Sequence, residues 1–272
     1  MLSIISLFIF WSNPLDYILH AVSHANKSKD WRNTSVKKKD KEEHRKYYHD
    51  GIEIPSCTTI VSLLGKPELV KWANYMGFKR VNTTALLEER ASYGTYCHKI
   101  FETYFSNGLV TAKSNTDFMS RDEFREIIYR MRLVELYFNK LGIRVIANEL
   151  PLEGKTYGGT LDMLCYNEKE DCLMIFDLKT SKEARQSHWI QLMGYVNLLK
   201  EVYDLPVKEV GVILLSKPLR SPELINIRKV KQCWREEFIF NKLRDIYYIL
   251  NEPEETVLKM LKGDDNIVNT GE

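Results

Sequence analysis

Cys172-Leu-Met-Ile-Phe-Asp177-Leu-Lys179 is the stretch on which the fold turns. Its unbroken apolar start predicts a strand buried on both faces, the kind found at the centre of a sheet. Asp177 closes that run, and the two-residue repeat of a strand puts Asp177 and Lys179 on one face. A carboxylate at the end of a buried strand is costly unless it is paired or metal-bound. Just upstream, Gly159 to Tyr166 reads as a second strand carrying Asp162, and Asn167-Glu-Lys-Glu-Asp171 between the two is turn-like. Folding back at that turn brings residues 161–163 opposite 176–178 and makes the two aspartates neighbours. Two such charges ~4 Å apart repel by about 4 kcal/mol at an effective dielectric of 20, and a bound cation turns that repulsion into attraction. Hard oxygen ligands favour Mg²⁺ or Mn²⁺. Gly158 and Gly159 are expected to let a ligand approach the backbone closely. The same residues also fit a surface ion pair of Asp177 with Lys179 and a simple bulge at the glycines.

Working outward, Thr84 to Phe105 reads as a helix whose Leu86, Leu87, Tyr93, Cys97, Ile100, Phe101 and Tyr104 form one broad apolar face. Ser120 and Glu123 have capping-box spacing, a helical pattern runs on to Phe138, and Gly142 terminates it. Ile143 to Leu150 is the first strand of the sheet. After Lys179 come a helix over Trp189 to Tyr203, an apolar strand over Val207 to Leu215, a further strand near Leu224 to Val230, and a last helix over about Trp234 to Leu250. Upstream, Ser56 to Met76 reads as short helical pieces broken at Gly65-Lys66-Pro67. This order predicts an α/β fold with a mixed central sheet flanked by helices.

The 272 residues are 44% apolar and 28% charged, which excludes collagen-like, disordered and disulfide-scaffold classes. The net charge of +2 is unevenly placed: Lys27 to Lys46 holds nine Lys or Arg against four acids, and the remainder holds 30 against 33. Residues 1–50 are expected to be an apolar N-terminus and a basic flexible tail, residues 51–250 the folded body, and 251–272 a C-terminal tail. Met1 to Trp11 is too short to span a bilayer and lacks the positive start of a signal peptide. A signal peptide running to about Ala25, a packing segment and a misassigned start all fit it. The odd, scattered set Cys57, Cys97, Cys165, Cys172 and Cys233 has no C-x-x-C pair and predicts buried thiols in a reducing compartment.

Two helical pairs complete the pattern. His98 and Glu102 share a helix face, with Gly94 one turn earlier, and Gln191 and Tyr195 share another just after Asp177-x-Lys179. Either pair alone fits a structural role as well as a ligand role. In order, however, the elements run Gly94-x-x-x-His98-x-x-x-Glu102, Gly159-x-x-Asp162, Asp177-x-Lys179, Gln191-x-x-x-Tyr195. This set resembles the PD-(D/E)XK nuclease superfamily in its RecB-like branch, which includes phage exonucleases and the mitochondrial genome maintenance exonuclease. Ile54-Pro-Ser-Cys-Thr-Thr-Ile60 also looks like the opening of that exonuclease group.

The resemblance implies a restriction-endonuclease-like core with helical additions, and a metal-dependent DNA exonuclease acting on single-stranded or end-containing DNA in replication, recombination or repair. A structure-specific or restriction-type endonuclease, or an inactive DNA-binding relative, is the alternative on the same core. It implies Mg²⁺ or Mn²⁺ held by His98, Asp162, Asp177 and the backbone carbonyl of Leu178, with Lys179 polarising the attacking water and Glu102 supporting His98 or a second metal. Glu149 falls at a first-strand acid position that varies in the family. Gln191, Tyr195 and Tyr93 are expected to contact DNA; Trp72, Tyr96, Tyr157, Trp189 and the Lys37–Lys39 run are further candidates. Only Cys233 lies downstream of the core, so no iron–sulfur cluster is expected, and Gly154-Lys155-Thr156 lacks the earlier glycine of a P-loop because Glu149 stands there. The expected partners are DNA and replication or recombination proteins, with no membrane partner. The expected setting is intracellular and soluble, in a viral or bacterial cytoplasm or a mitochondrion.

Overall fold

The structure, a computed structural model, describes residues 45–107, 120–215 and 224–251. Strands β1 (Tyr47–His49) and β2 (Ile52–Ile54) form a hairpin around Asp50-Gly51. Both turn residues have positive φ, 48° and 81°, the conformation that a two-residue hairpin turn with the strands' own twist requires. The fold therefore begins before the boundary expected at residue 51: Tyr47 is buried at 5% exposure and its hydroxyl meets Thr160 Oγ1 at 2.9 Å. The charged residues around it masked the Asp-Gly turn signal. The rest of the expected tail, with its Lys37–Lys39 run, lies outside the described residues, as does the segment from 252 on.

Helix α1 (Cys57–Ser62) is capped by Ser56, whose hydroxyl accepts from the Thr59 N–H, and α2 (Pro67–Phe78) starts on proline. Helix α3 spans Thr83–Asn107, and α4 spans Arg121–Leu141. Ser120 and Glu123 form the expected capping box, and Gly142 closes α4 in the left-handed conformation at φ 75°. The sheet follows: β3 (Ile143–Glu153), β4 (Gly158–Asn167) and β5 (Cys172–Lys179), then α5 (Gln186–Tyr203), β6 (Val207–Leu214), β7 (Ile225–Lys229) and α6 (Trp234–Asn251). The chain is thus α/β, with a five-stranded mixed sheet in the order β3-β4-β5-β6-β7, antiparallel except for the parallel pair β5–β6. Helix, three strands, helix and strand follow in the expected order, with α4 between the first long helix and the sheet.

Alternate strand residues feed two cores. On one face Leu164, Ile175 and Val212 pack with α1, α5 and α6. On the other, Cys165, Phe176 and Ile213 pack with α3 and α4. The central position of β5 explains its near-continuous burial from Cys172 to Leu178. All five cysteines are buried free thiols. Among the described residues, no helix is long and apolar enough to cross a membrane.

Candidate metal centre

The β4–β5 pairing runs Asn167↔Cys172 to Met163↔Phe176, so the next step sets Asp162 opposite Asp177. The Asn167 side chain builds the turn between them by accepting from the N–H groups of Lys169 and Glu170. On the other side of β4, Asn148↔Met163 and Leu150↔Leu161 bracket Glu149 opposite Asp162. Three carboxylates therefore stand abreast on three adjacent strands. Long helix α3 brings His98 to them: its Nδ1 lies 3.4 Å from Asp162 Oδ1 and 3.8 Å from Glu149 Oε1. One potential ligand atom from each of His98, Glu149 and Asp162 falls within 4.8 Å of the others.

Lys179 takes the other end. Its Nζ donates to Asp177 Oδ1 at 2.8 Å, two residues back on the same face of β5. Asp177 Oδ2 lies 2.7 Å from the same nitrogen but off the hydrogen-bonding angle, so this oxygen, on a residue only 1% exposed, accepts no hydrogen bond. The Leu178 N–H donates to Asp162 Oδ2 at 2.6 Å and ties the two strands together at the site. What Leu178 brings to the carboxylates here is thus its N–H.

Burial and charged partners compete at each group. Burial presses the His98 imidazole toward neutrality, but the Asp162 charge and hydrogen bonding to Asp162 and Glu149 outweigh it and raise the pKa to about 10. Burial pushes the Asp162 carboxyl up, while His98, Lys179 and the Leu178 N–H pull harder and hold it below the usual range. Asp177 goes the other way: burial, aided by the Asp162 charge, lifts it to about 6 despite Lys179. Burial lowers the Lys179 ammonium, and the two aspartates more than reverse that. Burial, with the Asp162 and Glu102 charges, raises Glu149 against the opposing pull of His98. The site sets three carboxylates against two cations, His98 and Lys179.

A divalent cation fits this donor set. Ligand atoms of an octahedral Mg²⁺ site, at about 2.1 Å from the ion, lie roughly 3–4 Å apart, close to the 3.4 and 3.8 Å between His98 Nδ1 and the Asp162 and Glu149 oxygens; Asp177 lies outside this close group. Asp177 Oδ2 faces only the Lys179 ammonium, so a lone pair of this buried oxygen is left for a second cation. One imidazole with carboxylates is a donor set open to several divalent metals.

Other predicted residues stand elsewhere. Glu102 is half-buried one turn beyond His98, its charge raising Glu149. Gln191 and Tyr195 are 8% and 3% exposed; Gln191 Nε2 donates to Tyr195 Oη at 3.0 Å inside the α5 core. They form the floor behind the carboxylates rather than an open DNA-facing surface. Tyr157 and Trp189 are core residues as well. Tyr93 and Tyr96 are half-buried against the α3–α4 core, and Trp72 on α2 lies under the Arg90 guanidinium. Gly94 faces Thr180 Oγ1 beyond the end of β5, at 3.8 Å from where a Cβ would sit.

The glycine pair needs correction. A Cβ on Gly158 would fall 2.4 Å from the Tyr47 ring, and one on Gly159 2.6 Å from Tyr195 Cε1. These glycines admit two tyrosine rings of the protein itself, not a ligand. A residue missed in the sequence is Arg130, 5% exposed on the buried face of α4, whose Nη1 donates to the Leu214 carbonyl at 3.0 Å. Its place at helical spacing between Ile127 and Val134 was the available signal. The bond supports the end of β6, where Leu214 pairs with Lys179.

No family model matches the chain, and no curated protein does. Among solved structures, the chain is similar to the crystal structure of SSO0001, at 10% identity over 87% of this chain and 95% of that one, with a TM-score of 0.27. So slight a superposition carries no argument.

Proposed function

We propose that this protein is a metal-dependent deoxyribonuclease of the RecB-like PD-(D/E)XK type, an exonuclease working on single-stranded or end-containing DNA. The observation that carries this reading is the juxtaposition of Asp162 and Asp177 across β4–β5, with Lys179 2.8 Å from one and His98 3.4 Å from the other. His98, Asp162 and Asp177 would hold Mg²⁺ or Mn²⁺. Such an ion lowers the pKa of a water and neutralises charge building on the phosphate. Lys179 stays charged at the site and offers a compact point charge for the same phosphate or for orienting the water. The Leu178 N–H fixes Asp162, and the Tyr195 ring packs against Gly159. Products with 5′-phosphate and 3′-hydroxyl ends follow from the family resemblance.

The test is degradation of end-labelled single-stranded DNA with Mg²⁺ by the wild type, Asp177→Ala and Lys179→Ala. The wild type is expected to shorten the DNA while both variants fall to background, a loss of at least 10²-fold. Equal degradation by all three overturns the reading. Closed circular single-stranded DNA stays intact under an exonuclease, and its cleavage assigns an endonuclease instead.

A further inference from the structure

Glu149 has a backbone out of keeping with its place. It lies inside the eleven-residue strand β3, between the paired residues Asn148 and Leu150 and itself skipped by the ladder, and its φ is +49°. Five non-glycine residues in the described chain have positive φ. Asp50 and Asp171 stand in strand-to-strand turns, and Arg80 and Asp204 follow helix ends, where the chain must reverse or stop. Glu149 alone among them lies within a strand, which continues for four more residues, and the side-chain alternation of β3 switches there, Ala147 and Leu150 entering the same core. An L side chain avoids this region because Cβ crowds the backbone, so the conformation persists only where the surroundings impose it.

What it achieves is visible in the site. The turn of the backbone delivers the Glu149 carboxylate to 3.8 Å from His98 Nδ1 and into the group formed with Asp162. Asn148 is fastened by its Nδ2 to Ser106 Oγ on α3 at 3.3 Å, and Leu150 is 1% exposed in the core, so both neighbours are anchored. The carboxylate joins those of Asp162 and Asp177, the latter ion-paired with Lys179 at 2.7 Å. In the metal-free protein His98 partly offsets the repulsion that the two aspartates exert on this third acid.

We infer that Glu149 is a ligand of the divalent cation, and that the left-handed backbone of β3 at this residue aims it at the ion at the expense of stability. The inference rests on the metal-dependent reading above. It adds to that reading a fourth side chain and a reason for the irregular strand.

The test reads metal binding and stability, not activity. Mn²⁺ is titrated calorimetrically into full-length wild type, Glu149→Gln and Glu149→Gly, and each is melted in EDTA. Glutamine removes the charge and keeps the strained backbone; glycine removes the charge and accepts the backbone freely. Both variants are expected to bind Mn²⁺ at least tenfold more weakly. The metal-free glycine variant should melt about 1–3 °C above the glutamine variant, relief of strain exceeding the entropy glycine adds to the unfolded chain. Wild-type affinity in Glu149→Gln overturns the ligand role. A glycine variant melting below the glutamine variant overturns the account of the strained backbone. Failure of the wild type to bind Mn²⁺ overturns the metal reading itself, and is a separate result.

Discussion

Gly159→Ala tests whether the glycine pair serves the protein's own packing. The new Cβ would sit 2.6 Å from Tyr195 Cε1 and 3.3 Å from Cys57 Cβ. An ordinary contact needs ~3.4 Å or more, so the ring must retreat by close to 1 Å. It has nowhere easy to go: Tyr195 is 3% exposed, its hydroxyl takes the Gln191 hydrogen bond, and α5 around it is buried over most of its length. Overpacking of this kind costs about 1–3 kcal/mol. The reduced freedom of the unfolded chain offsets about 0.4–1 kcal/mol. A net loss of about 1–2 kcal/mol lowers Tm by roughly 2–8 °C for a domain of this size. Thermal melts in EDTA measure it, and Tyr195→Leu, which removes the ring edge, should recover part of the loss in the double variant. Gly158→Ala provides the contrast. Its Cβ strikes Tyr47 on the peripheral hairpin, so amide exchange over residues 47–54 should accelerate while Tm falls less. A Gly159→Ala protein melting within about 1 °C of the wild type refutes the reasoning, because the ring would then have room that the structure denies it.

Metal binding should release protons. A metal ligand must be a neutral imidazole, whereas His98 is protonated below about 10 in the metal-free protein, so Mn²⁺ affinity should rise with pH between 6 and 9. Calorimetry in buffers of different ionisation enthalpy counts the protons, and a pH-independent affinity contradicts the assignment of His98. Ser120→Ala removes one half of the capping box at the start of α4 and should lower stability by about 1 kcal/mol, or roughly 2–4 °C in Tm. An unchanged melt places the helix start elsewhere.

Much of the fold was legible in the sequence because its signals are local. The capping box at Ser120, the stop at Gly142 and the apolar run of β5 each depend on residues within a turn or a strand length. The Asp162–Asp177 juxtaposition was legible for the same reason: a four-residue turn joins their strands, and the count from Asn167↔Cys172 fixes the register. The Asp50-Gly51 hairpin was equally local but stood among charged residues that read as tail. The roles of Gln191, Tyr195 and the glycine pair were not legible. A polar pair on one face of a helix looks the same whether it meets solvent or a packed interior.

By itself the sequence determined the class of fold, the order of its elements and the placing of two aspartates, a lysine and a histidine on segments that converge. Periodicity and turn chemistry suffice for that. The tertiary structure alone decided what each group meets. Tyr47 closes on Thr160 across 113 residues, Cys57 reaches the Gln191 carbonyl across 134, and Glu149 turns toward His98 through a backbone conformation its own sequence disfavours. Such contacts depend on how helices settle on the two faces of the sheet, a balance of packing over the whole core that no local stretch encodes.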